Sequence, residues 1–101
     1  MIKTEYRKIF WYNQINYFYE FYKKYHSEEL YNCLISSLSK YLNILNIKNT
    51  RIEYYEITFY IDNREYLLYY KEFDNSFIIF DKKKNKRFCN INDLFEYIEN
   101  L

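Results

Sequence analysis

The sequence predicts an α+β domain. An N-terminal antiparallel helix hairpin should pack on one face of a three- to four-stranded antiparallel meander, with a short C-terminal helix, in the order α-α-β-β-β-β-α. Three observations carry this. Residues 5–46 place apolar side chains at helical spacing with few turn residues among them. From about residue 51 the apolar period becomes two, and Asn and Asp recur between short runs. After residue 90 the helical period returns for one last short stretch.

The chain contains no Gly and no Pro, and no Ala or Val either. Asn and Asp must therefore occupy the positive-φ and capping positions that Gly usually takes. They are sparse before Asn46 and cluster at Asn46–Asn49, Asp62-Asn63, Asp74-Asn75, Asp81–Asn85 and Asn90–Asp93. Those clusters mark the expected breaks.

The first helix is expected at about 5–25. Ten of the twenty residues from Tyr6 to Tyr25 are Phe, Tyr or Trp. Ile15, Tyr17, Tyr19 and Phe21 also alternate as a strand would, but uninterrupted length favours a helix. At 100° per residue, Trp11, Ile15, Phe18, Tyr22 and Tyr25 fall along one line, opposite Asn13, Asn16, Glu20 and Lys24. Trp11, Ile15, Phe18 and Tyr22 are thus the expected core, with Phe10, Tyr17 and Phe21 on the flank that meets the second helix. Tyr12 and Tyr19, on the other flank, are expected to stay accessible and to contact a partner. Aromatic residues are middling helix formers, so burial must supply the stability.

The second helix is expected at 28–46. Ser27 can cap it, and Glu28 and Glu29 stand in its first turn, where the helix dipole favours negative charge. Leu30, Tyr31, Leu34, Ile35, Leu38, Tyr41, Leu42 and Leu45 mark its apolar face. The strand region then runs over about 51–89. Tyr55, Ile57, Phe59 and Ile61 alternate with polar neighbours, Asp62-Asn63-Arg64 turns into 65–73, and Asp74-Asn75 turns into Phe77–Phe80. A longer basic turn, Asp81–Lys86, precedes a brief strand at Arg87-Phe88-Cys89. The last helix, 91–100, is capped by Asn90 or Asn92, with Ile91, Leu94, Ile98 and Leu101 as its stripe.

Composition narrows the function. One hundred and one residues make one domain with a single core. A net charge of +1 argues against a protein that binds nucleic acid chiefly through phosphate neutralisation, and equally against an acidic mimic. The absent residues need G-containing or G/C-rich codons while Lys, Asn, Ile, Tyr and Phe are spelled mostly with A and T. An AT-rich genome therefore accounts for much of the aromatic excess. The N-terminus carries charge without an apolar run, and no segment is long and apolar enough to span a bilayer, so a cytoplasmic setting with reduced Cys33 and Cys89 and no membrane partner is expected.

No catalytic, metal or cofactor site is expected. Cys33 and His26 are seven residues apart with a cap between them, and Cys33 flanks an apolar face where a thiol packs as a small hydrophobe. Cys33, Cys89 and His26 lack zinc-ligand spacing, and without Gly there is no phosphate-cradling loop. Two binding readings remain. Lys82, Lys83, Lys84, Lys86 and Arg87, between Phe80 and Phe88, have the composition of an RNA or single-strand contact. The same lysines equally suit a solvated hairpin tip that blunts an edge strand.

The favoured reading is a non-catalytic protein-binding module, since tyrosine-rich surfaces bury area with little entropy loss. Small, motif-free, AT-rich chains are typical of phage and mobile-element accessory proteins, many of which bind and inhibit a host defence protein such as a CRISPR effector. A host protein or protein–nucleic acid complex, RNA and a second copy of the chain are the candidate partners.

Overall fold

The computed structural model describes residues 2–53 and 56–101, and the side chains of all of these except 2–4, 49 and 50. Tyr55, expected in the first strand, lies outside the described residues. The order of elements is α1 (Ile2–Tyr25), α2 (Glu28–Ile44), β1 (Lys48–Glu53), β2 (Glu56–Ile61), β3 (Arg64–Lys71), β4 (Ser76–Asp81), β5 (Lys84–Phe88) and α3 (Ile91–Glu99). The α+β order expected from the sequence is present, with five strands in place of three or four. Backbone contacts group the chain into two compact units, Met1–Asn46 and Ile47–Leu101.

The first unit is an antiparallel helix hairpin. Tyr22 faces Tyr31 with ring centroids 5.3 Å apart, and Tyr12 faces Tyr41 at 5.7 Å. Facing pairs that diverge in number in this way require the two helices to run in opposite directions. The reversal is tight. His26 takes φ 50, and its backbone N–H donates to the Tyr22 carbonyl at 2.8 Å, ending α1. Ser27 is extended and its hydroxyl accepts from the Leu30 N–H at 3.4 Å, capping α2 as its sequence position suggests.

α2 buries the face its periodicity marks: Tyr31, Leu34, Ile35, Leu38, Tyr41 and Leu42, together with Ser37. α1 does not. Its buried residues are Ile15, Tyr19 and Tyr22, with Tyr12 half-buried beside them, a 3-4-3 seam. Trp11 and Phe18, expected at the centre, are only half-buried. Phe10, Tyr17 and Phe21, expected against α2, are exposed. The buried face is therefore turned toward the flank expected to be free. Hydropathy is spread almost evenly around α1, so its own periodicity does not select which line is covered. The sharply amphipathic α2 selects it.

The second unit is a meander in the order β1-β2-β3-β4-β5, antiparallel throughout. Asp62 and Asn63 link β2 to β3 with φ 51 and 64, the two positive values of a type I′ turn whose twist suits a hairpin. Asn75, at φ 54, closes the β3–β4 connection. Three of the five positive-φ residues are thus the Asn or Asp that had to replace Gly in these turns. The register aligns Phe59 with Tyr66, Leu68 with Ile79, Tyr70 with Phe77 and Phe77 with Phe88. Residues in register share a face, and all of these are buried. α3 lies on β5, with the Tyr97 ring 5.1 Å from Phe88. Asn90 is its cap, accepting from the Asn92 N–H at 2.9 Å. Phe95 joins Ile91, Leu94 and Ile98 in the buried stripe, while Leu101 stays exposed.

Two strand expectations are corrected. β1 was not separable in the sequence because it holds one strongly apolar residue, Ile52, itself half-exposed. An edge strand needs only backbone pairing, here from Lys48↔Tyr60 to Glu53↔Glu56 with a register shift between Asn49 and Arg51. The basic segment Asp81–Lys86 is not one long turn. Only Lys82 and Lys83 turn; the Asp81 carboxylate accepts from the Lys83 N–H at 3.1 Å and tightens the reversal, so that Lys84 already pairs with Asp81.

Candidate functional site

The outward face of α1 is the most unusual surface among the described residues. Tyr6, Phe10, Tyr17, Phe21 and Tyr25 are 68, 51, 56, 37 and 59 % exposed. At 100° per residue they lie within an arc of about 100°, so they form one strip rather than scattered rings. The rings also order one another. Tyr17 and Phe21 are 4.6 Å apart, Phe21 stacks on Tyr25 at 6.0 Å and 14°, and the Lys24 ammonium lies 5.4 Å from the Tyr25 centroid. Singly exposed aromatics are ordinary, but a continuous row of five is not.

The two tyrosines expected to contact a partner are not on this strip. Tyr19 is 2 % exposed and Tyr12 is half-buried against Tyr41. Both belong to the seam with α2, and Lys23 covers the Tyr19 ring at 4.4 Å. Their accessibility is corrected for the reason already given: with rings on nearly every side of α1, burial is assigned by the neighbour. The exposed strip had a weak sequence signal, since Asn13, Glu20 and Lys24 fall on or beside it, and polar residues mark a solvated side.

The basic residues are divided by the strand. Lys82 and Lys83 sit at the turn and share an open cleft of about 460 Å³ with Tyr60, Asp62, Asn63, Arg64 and Glu65. Lys84 and Lys86 project from β5 on the side of buried Phe88, while Arg87 projects on the other. Arg87 is engaged there, its Nη2 3.1 Å from Asp74 Oδ2. A second cleft of about 470 Å³ joins Lys86 and Arg87 to Asp93, Glu96 and Asn100. Both clefts mix carboxylates with the cations, and Phe88 is too buried to stack on a base.

Asp74 is the one carboxyl here held below its ordinary range. The Ser76 hydroxyl donates to Oδ1 at 2.6 Å, and Arg87 and Lys71 add positive charge. A folded-state value below the unfolded one stabilises the protein above the unfolded pKa, and that contribution is lost as pH falls through the depressed folded value. Unfolding midpoints measured from neutrality down through the region below 3.8, the model value for Asp, should fall, and Asp74→Asn should flatten this acid limb. At the opposite edge of the sheet, the Tyr60 hydroxyl donates to Glu65 at 2.7 Å, and that bond holds the phenol above its usual value.

Cys33 is exposed rather than packed as a small hydrophobe. It lines a shallow cleft of about 420 Å³ in the helix hairpin, with Phe10, Trp11, Phe18, Asn32 and Ser36, where Lys40 stands 5.5 Å from the Trp11 ring. Cys89 is also exposed, just past β5. Among the described residues no three His, Cys, Asp or Glu side chains are grouped as metal ligands, and no helix is long and apolar enough to cross a membrane. The chain matches no protein-family model, no curated protein and no solved structure. The class defined by fold and surface is an α+β protein with a helix hairpin, a five-stranded meander and an aromatic helix face open to solvent.

Proposed function

We propose that this protein is a non-catalytic protein-binding module that docks through the outward face of α1. The setting we infer is that of a cytoplasmic phage or mobile-element accessory protein that inhibits a host defence protein such as a CRISPR effector. The observation that carries the docking surface is the row Tyr6, Phe10, Tyr17, Phe21 and Tyr25, exposed and in mutual contact along its C-terminal half. Burying a large apolar side chain is worth about 1.5–3 kcal/mol, so covering even three of these rings would supply a substantial binding energy. Their prior ordering on a helix lowers the entropy lost on docking. A helix face of this kind is read by an apolar groove through side chains three, four and seven residues apart.

A second reading has its own observation. Lys82, Lys83, Lys84 and Lys86 are all exposed along one hairpin, the feature expected of an RNA or single-strand contact.

Affinity purification from the native host, with and without nuclease, separates the two. The expected result is a stoichiometric, nuclease-resistant protein partner that is lost with Tyr17→Glu/Phe21→Glu and retained with Lys82→Glu/Lys83→Glu/Lys84→Glu. Loss of all partners on nuclease treatment, with the opposite dependence on the two variants, would favour nucleic acid.

A further inference from the structure

We propose that the outward face of α1 takes a second copy of the same chain, forming a two-fold dimer through antiparallel packing of α1 on α1. This rests on reading that face as a docking surface and names its occupant. The argument begins with the spacing. Tyr6, Phe10, Gln14, Tyr17, Phe21 and Tyr25 follow one another at intervals of 4, 4, 3, 4 and 4 residues, a series that is the same read from either end.

A two-fold axis perpendicular to α1, passing midway between Ile15 and Asn16, therefore brings Tyr6 opposite Tyr25 of the second copy. It brings Phe10 opposite Phe21 and Gln14 opposite Tyr17. Every exposed aromatic residue on the strip thus meets an aromatic ring or the one amide at the centre. A closed two-fold interface demands this kind of self-complementarity, because the same patch must serve both sides. Tyr17, Phe21 and Tyr25 form one i+4 row and Tyr6, Phe10 and Gln14 another, and such rows are the ridges that pack into the grooves of a neighbouring helix.

The charges agree. Arg7 and Lys24 would stand at the same level along the paired helices, but they lie on opposite sides of the strip, about 100° apart around α1. They therefore meet rings rather than each other: Lys24 lies toward Tyr6 of the second copy and Arg7 toward Tyr25. Glu20 is engaged within its own helix, 2.9 Å from Lys23.

The area is sufficient. With aromatic side chains of roughly 200 Å² each, the exposures above leave about 550 Å² of ring surface per copy, so a symmetric pair removes about 1,100 Å², above the ~1,000 Å² expected of a specific interface.

Sedimentation equilibrium on the full chain, from about 1 to 200 µM, reads this directly, a range chosen around the micromolar affinity of a small interface. The expected result is a species of twice the 13.0 kDa chain mass. Tyr17→Glu/Phe21→Glu, whose side chains are exposed, should keep the circular dichroism of the folded protein and raise the dissociation constant about 100-fold or more. In a Cys33→Ser/Cys89→Ser background, Tyr6→Cys and Tyr25→Cys chains should form a disulfide with each other when mixed and not alone. A single-copy mass throughout, a dimer indifferent to the Glu variants, or cross-linking of Tyr6→Cys with itself would overturn the proposal. A single-copy mass would leave the strip free, and the purification described above would still decide whether it docks a host protein.

Discussion

Tyr19→Ala is expected to destabilise the protein by about 3–5 kcal/mol, whereas Tyr17→Ala, two residues away, is expected to stay within about 0.5 kcal/mol. Tyr19 is 2 % exposed in the seam between α1 and α2, under the Lys23 ammonium. Truncating it removes a ring from a packed interior and leaves a cavity that rigid helices on either side cannot fill. Tyr17 points to solvent and touches only Phe18 and Phe21 on its own helix. Urea denaturation of the two variants and the parent checks both values. Trp11→Ala and Phe18→Ala should fall between them, because each side chain is half-buried. If Tyr17→Ala proves the costlier change, the buried face of α1 has been assigned the wrong way round.

Phe59→Ala should produce a loss of similar size in the sheet, about 3–5 kcal/mol. Phe59 has no exposed surface and stacks on its cross-strand partner Tyr66 at 5.4 Å and 17°. The substitution therefore removes both the buried area and a ring pair worth about 0.5–1.5 kcal/mol beyond area. Against a total stability of about 5–15 kcal/mol, that is a large share, and a fall in melting temperature of more than about 10 °C follows for a domain of this size. Phe73, almost fully exposed between β3 and β4, is the internal control: Phe73→Ala should leave the melt where it is.

The elements that were legible in advance share one property: their pattern is lopsided. α2 has apolar residues on one side and Asn32, Ser36, Lys40 and Asn43 on the other, and its buried face and its Ser27 cap follow. β2 to β4 alternate between a buried and a mixed face, and the turns between them carry the Asn and Asp that positive φ demands in a chain without Gly. α3 was visible from four apolar residues and a capping Asn, with Phe95 taking the place expected of Leu101. Where the pattern is even, reading failed. β1 has too little apolar character to stand out. Lys84 and Lys86 resemble a loop because an edge strand at the rim of a sheet is built of the same residues as a solvated turn.

The candidate surface suffered most from this evenness. Tyr12 and Tyr19 were expected outside and are inside, while Tyr17 and Phe21 were expected inside and are outside. In a helix that is half aromatic, moving the buried face by one residue changes the count of apolar contacts very little. A tyrosine serves on either side, because its ring fills a core and its hydroxyl tolerates water.

By itself, then, the sequence determined which segments are helical and which are extended, where the backbone must reverse, and that an excess of aromatic area had to go somewhere. These are local matters, decided by spacing, capping and the conformations open to Asn and Asp. Only the tertiary structure decided which rings α2 covers, that residues 48–53 pair with β2, and that the lysine run continues as a strand. Each of those depends on a partner distant in the chain, and a nearly uniform aromatic helix offers its partner several faces of almost equal hydropathy.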